Sequence, residues 1–219
     1  MIDGREQFSL AKSPTDATPV HPEPTIITTA DQVKFIDTPA PFRQVRDVPE
    51  YRFRDIRRDD IVIDIGANVG AFALRAAKLS CNVVAVEPIC TEILRENIRL
   101  NHAAVRVIEG ALGDGRPAEA AWDGCRRVLP TCTLGMIIKT AGGCDFLKCD
   151  CEGAEWLIDP SDLAGVRRIE MELHIPPICG PPDMRLLDAI SRKYDWEVVR
   201  EPCHGPLGVL GILHARRHT

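Results

Sequence analysis

Residues 145–155 read Asp145-Phe146-Leu147-Lys148-Cys149-Asp150-Cys151-Glu152-Gly153-Ala154-Glu155. Strand alternation puts Phe146, Lys148 and Asp150 on one side and Leu147, Cys149 and Cys151 on the other. Residues 170–174 read Glu170-Met171-Glu172-Leu173-His174, and the same alternation gives Glu170, Glu172 and His174 a shared face. Charged groups at a buried sheet edge need partners or a task. Carboxylates beside an imidazole can orient a hydroxyl group and take its proton, and a histidine suits that task near neutral pH. Asp150, His174 and Glu172 are therefore the candidate catalytic groups. Lys148 is a ready partner for Asp150 or Glu172, and a buried ion network is the structural alternative.

A second constellation suits an adenosine. Asp64-Ile65-Gly66-Ala67-Asn68-Val69-Gly70 closes a β-branched run. Gly66 permits a tight turn and close approach of a ligand, and Gly70 allows the next helix to pack. The spacing is G-x-x-x-G, which differs from the G-x-G-x-x-G of dinucleotide sites. Glu87 follows 21 residues after Gly66 and precedes Pro88. An acid ending the second strand can accept both ribose hydroxyls. The loop Glu109 to Asp114 would lie beside the base, with Asp114 or the backbone at Ala111 near the exocyclic amine.

These residues need a frame of alternating strands and helices. Short apolar runs at 61–65, 83–86, 105–108, 145–149 and 168–173 predict buried strands. Between them, 71–79, 91–100, 133–140 and 153–158 predict helices, with Thr91 as an N-cap. A helix at 183–194 precedes strands at 196–200 and 209–215. Only a short Pro- and Gly-containing link separates that last pair, so it should be antiparallel. The expected fold is α/β: a doubly wound, Rossmann-like sheet, mostly parallel, with one antiparallel strand near the C-terminus. That is the architecture of class I methyltransferases, which bind S-adenosylmethionine (SAM).

The segments 64–70, Val86-Glu87-Pro88, 97–101, 145–155 and Glu172-Leu173-His174 resemble the FkbM-type family of SAM-dependent O-methyltransferases. The resemblance covers roughly residues 60–175, about half of the chain. It departs from the family at Cys149 and Cys151, where aliphatic residues are usual. It implies methyl transfer to a hydroxyl of a sugar or other small metabolite. It also implies SAM contacts at Asp64, Gly66, Asn68 and Glu87, with Asp150, Glu155 and His174 near the acceptor. The candidate cofactor set is then Asp64, Gly66, Ala67, Asn68, Gly70, Glu87, Pro88, Ala111 and Asp114. Glu152 and Glu155 fall on the acceptor side. A SAM- or adenosine-binding module without catalysis is the alternative from another class, and RNA or protein are the alternative acceptors.

Composition narrows the rest. The chain has 219 residues, 45% hydrophobic and 27% charged, with net charge −5. Such a chain builds one core without staples and carries no overall basic footprint for nucleic acid. No apolar run reaches a membrane-spanning length, and the N-terminus lacks a secretory pattern. A cytoplasmic protein with a small hydroxylated acceptor is expected. Nine cysteines then read as reduced thiols. Cys144, Cys149 and Cys151 with Cys179 or Cys203 do not have the usual zinc spacing. A divalent ion on Asp150, Glu152 and Glu172 is conceivable, but no spacing demands it, so no metal is expected. Seven of the 17 prolines lie in residues 1–50, an expected arm or cover, with the main domain at 51–219. Within the arm, 25–35 could add a short strand and 42–58 an irregular or helical cover. His21, His102, His204, His214 and His218 are expected at the surface. Trp156 and Trp196 are expected in the core, and Trp122 in a loop.

Overall fold

The computed structural model describes residues 25–200 and 208–218. His21, Cys203 and His204 lie outside the described residues, as do the first 24 residues of the expected arm. The elements are β1 (Thr25–Thr28), β2 (Lys34–Asp37), β3 (Ile61–Ile65), α1 (Ala71–Ala76), β4 (Asn82–Glu87), α2 (Thr91–Leu100) and β5 (Val105–Glu109). Then come β6 (Ala111–Leu112), β7 (Ala118–Trp122), β8 (Cys125–Leu129), β9 (Thr131–Cys132), α3 (Leu134–Ala141) and β10 (Phe146–Cys149). Two 3-10 turns, Ala154–Leu157 and Pro160–Gly165, lead to β11 (Arg168–His174), α4 (Met184–Lys193), β12 (Tyr194–Val199) and β13 (Val209–Arg217).

Seven strands form the central sheet in the order β12-β13-β11-β10-β3-β4-β5. The pairs β10–β11, β10–β3, β3–β4 and β4–β5 are parallel. β13 is inserted antiparallel between β11 and β12. The chain therefore winds outward from β3 through β4 and β5, then returns to β10 and β11 on the other side. The carboxyl ends of β3 and β10 meet at that switch point, where ligands of open α/β sheets bind.

Apolar side chains cover both faces. Ile63, Ile65, Leu147, Ile169 and Met171 pack on one side with α3 and α4 residues such as Ile137 and Ile190. Val62, Phe72, Leu94 and Phe146 pack on the other. Phe72 rings meet Phe53, Tyr51 and Phe146 at centroid distances of 4.7, 5.8 and 6.0 Å. Fully burying a side chain of this size contributes about 2–3 kcal/mol.

The cover is more tightly attached than its proline content suggests. β1 and β2 form an antiparallel hairpin, and Val33, Phe35 and Val48 are buried in the second core. Asn97 Oδ1 accepts from the Ile36 amide, while its Nδ2 donates to the Val69 carbonyl. One α2 side chain thus ties the hairpin to the glycine turn. Residues 42–58 are irregular, with no helix.

Several local expectations change. The residue before α2, Cys90, has no capping bond, and the Thr91 hydroxyl instead donates to the Glu87 carbonyl. Residues 154–157 form a 3-10 turn rather than an α-helix. His214 is buried, because β13 places its Nδ1 2.6 Å from Glu170. Trp196 is exposed, since β12 is an edge strand. Trp122 lies in a strand, β7.

Candidate active site

A cavity of about 940 Å³ opens at the carboxyl ends of β3, β4 and β10. Gly66, Ala67, Asn68, Glu87, Pro88, Ala111, Asp114, Asp150 and Glu152 line it, together with Lys148 and Trp122. Asp64, Gly70, Glu155, Glu172 and His174 stand behind the wall and do not line it.

Gly66 is required by both conformation and space. Its φ is +72°, and a Cβ there would lie 1.7 Å from the Asp150 carbonyl oxygen. The turn and the end of β10 can adjoin only because one of them lacks a side chain. Gly70, at φ +98°, gives Leu94 the room to pack beneath the turn.

Glu87 ends β4 almost fully buried. Its Oε2 accepts from the Asn68 amide at 2.7 Å, and its Oε1 accepts from the Ile89 and Cys90 amides at 2.7 and 2.9 Å. Burial pushes its carboxyl above the usual range, against the pull of those three amides. The amides fix the group at the cavity wall, and a carboxylate retains lone pairs for ribose hydroxyls. Asn68, at φ +50°, turns its Oδ1 to the Val45 amide and so joins the cover to the turn.

Asp64, expected to meet the ligand directly or through water, does not line the cavity. Asp64 is fully buried and pairs with Lys148 Nζ at 3.1 Å. The same ammonium reaches Asp150 at 3.8 Å and donates to the Gly66 carbonyl at 2.9 Å. Burial favours neutral Lys148, but Asp64 and Asp150 together raise its pKa. Lys148 thus links the two ends of the site.

The acidic end is built around His174, which is only 1% exposed. Its Nδ1 lies 3.0 Å from Glu155 Oε1, and the same oxygen accepts from the His174 amide at 2.7 Å. Its Nε2 faces Glu172 at 3.2 Å, Glu152 at 3.6 Å and Asp150 at 3.9 Å. Burial would lower the pKa of the ring. Bonds to Glu155 and Glu172, and the charges of Glu155 and Asp150, override burial and push it up to about 11. His174 is therefore an imidazolium at neutral pH, which corrects the expectation of a neutral base. Glu155 is also reassigned: fully buried, it accepts from the Gly153 amide and holds His174 rather than an acceptor.

The carboxylates divide. Burial would raise Asp150, but Lys148, His174 and hydrogen bonds with Glu172 and Tyr51 bring it below the usual range. Burial raises Glu172, helped by Asp150 and opposed by the hydrogen bond and charge of His174. Asp150 is the group held ionised. Glu170, on the same strand face, belongs to a separate network with Arg168, His214 and the Arg52 amide.

Among the described residues, one group converges as cation ligands do: atoms of Asp150, Glu152 and His174 lie within 4.8 Å of one another. The same atoms lie at ion-pairing range, with His174 Nε2 3.6 Å from Glu152 and 3.9 Å from Asp150. The eight described cysteines are free. No helix of the described residues is long and apolar enough to cross a membrane.

Neither a protein-family profile nor a curated protein sequence matches the chain. Solved structures do. TYW2 from P. horikoshii, in complex with MeSAdo, has a TM-score of 0.52 at 18% identity, covering 88% of this chain and 70% of that one. An rRNA methylase from Streptococcus thermophilus has a TM-score of 0.51 at 8% identity, covering 76% and 92%. The methyltransferase FkbM from Methylobacillus flagellatus KT has a TM-score of 0.48 at 13% identity, covering 74% of this chain and 49% of that one. The chain thus spans about half the length of that FkbM protein. The likeness is one of fold alone, the mostly parallel Rossmann-like sheet, and it does not single out the FkbM type.

Proposed function

We propose that this protein is a SAM-dependent O-methyltransferase acting on a hydroxyl of a sugar or other small metabolite. The observation that carries this reading is one cavity lined both by Glu87, at the end of β4, and by Asp150, just beyond β10. The side-chain-free approach at Gly66 supplies the cradle between them. When bound, SAM supplies a methyl group already activated on a sulfonium.

The protein's share is alignment and one proton transfer. Glu87 would accept the two ribose hydroxyls, with Asp114 and the Ala111 backbone beside the base. Asp150 would orient the acceptor hydroxyl along the methyl–sulfur axis and take its proton as the new oxygen–carbon bond forms. His174 keeps the neighbouring carboxylates in place and offsets their charge. Glu152, also on the cavity wall, would meet the acceptor. Two carboxylates on the cavity wall there, Asp150 and Glu152, favour a neutral acceptor over a phosphate-rich one.

Calorimetric titration with SAM, S-adenosylhomocysteine and NAD tests the cofactor. Micromolar binding of the first two without the third is expected, followed by label transfer from methyl-labelled SAM to a hydroxylated acceptor. Tight NAD binding, or transfer to RNA or protein but to no small hydroxylated compound, would overturn the reading.

A further inference from the structure

We propose that Tyr51 is a positioning residue for Asp150, so that the irregular segment 42–58 completes the active site rather than merely covering it. The inference rests on the methyl-transfer reading above. The Tyr51 hydroxyl donates to Asp150 Oδ2 at 3.1 Å. Tyr51 does not line the cavity, so it acts through the carboxylate.

Tyr51 is held in place independently of Asp150. Its ring stands edge-on to Phe72, with the planes at 88°. Lys148 Nζ lies 5.5 Å from its centroid. The next residue pins the backbone: the Arg52 amide donates to Glu170 Oε2 at 3.1 Å, and its guanidinium pairs with Glu197 at 2.7 Å. The phenol therefore arrives at Asp150 from a fixed frame. A buried hydroxyl without this acceptor would lose a charge-assisted bond. The phenol also resists ionisation, since burial and the nearby charges of Asp150, Glu172 and Glu50 raise its pKa well above the ordinary value. It stays a donor across the working pH range.

The result is a carboxylate restrained from several directions. Lys148 and Tyr51 hold Oδ2. His174, Glu172 and Glu152 face Asp150 from β11 and the loop after β10, and Asp64 stands behind Lys148. Loss of the phenol hydroxyl removes a neutral donor and leaves every charge in place.

Carbon-13 labelling of aspartate carboxyls reads the effect directly, with Asp150→Asn identifying the resonance. Tyr51→Phe should raise the Asp150 titration midpoint by about one pH unit, tenfold in its protonation constant. It should lower kcat about tenfold for any acceptor found, with the KM for SAM within about twofold of the parent. Difluorotyrosine in place of both tyrosines changes the phenol without changing the packing. It makes the phenol a stronger donor, so the midpoint should fall. An unmoved midpoint with the fluorinated protein, or with a folded Tyr51→Phe variant, would overturn the proposal. Calorimetry with SAM on the parent protein keeps the two ideas apart. If SAM does not bind, the functional reading fails, whatever the midpoint does.

Discussion

Gly66 and Asp150 lie so close that a single methyl group on the first would overlap the carbonyl of the second, at 1.7 Å. The glycine turn after β3 and the end of β10 that carries Asp150 are therefore one construction. Gly66→Ala should lose about 3 kcal/mol of stability through the clash and the positive φ. It should also abolish SAM binding. Thermal denaturation and calorimetry on the same preparation would show both, and a stable variant that binds SAM normally would contradict the geometry.

Glu87→Gln keeps the shape of the side chain but replaces one oxygen with an NH2 that must face a backbone amide, so it loses acceptors toward the ligand and at least one scaffold bond. We expect SAM and S-adenosylhomocysteine affinity to fall about 10- to 100-fold, the worth of one or two charge-assisted bonds. Glu87→Ala should also destabilise the fold, because it strands the amides of Asn68, Ile89 and Cys90. Melting should fall for both variants, more for Ala, and the loss of affinity should exceed that of stability if Glu87 also meets the ligand.

Asp150→Asn should leave SAM affinity within about threefold and reduce turnover about 100-fold or more, the usual size of a proton-transfer contribution. Because Asp150 is held below the ordinary carboxylate range, the parent rate should be flat from about pH 5 to 8. A rate that rises with a midpoint near 6.5, as for a neutral histidine base, would return that task to His174.

His174 governs stability with a definite sign. Its folded pKa, about 11, lies above the unfolded value near 6.5. Its contribution is thus fully present below about pH 6.5 and is lost as pH rises through about 11. The melting temperature should decline across that window. His174→Gln, which removes the titrating group, should be less stable at pH 6 and show a flatter profile. A parent profile no steeper than that of the variant would show that the imidazolium is not what holds the acidic end.

Much of this was legible in the residues. Strand and helix periods locate β3, β4, β5, β10 and β11 within a residue or two, since apolar runs ending in glycine or acid leave few alternatives. The short link after 200 announces an antiparallel strand. The lone lysine in β10 announces a partner, although not that Lys148 would serve Asp64 and Asp150 at once. Alternation gives the face of the His174 side chain but not its neighbours. Glu155 reaches it from a 3-10 turn whose fold has no period. Tyr51 carries no pattern at all: it sits among arginines, and only the tertiary fold brings it to Asp150. His214 looked like a surface residue for the same reason.

The position of β13 bears on how the chain is made. Among the described residues, β12 joins the sheet only through β13, which is later in sequence. During synthesis the edge of β11 stays open until residue 217 has cleared the ribosome, and Glu170 waits until then for His214. The nascent chain can wind β3 to β5 and dock β10 early, but its acidic strand is sealed last. A ribosome stalled before that strand should therefore present a chain that chaperones or a second copy can grip at β11, an exposure that ends once β13 pairs with it.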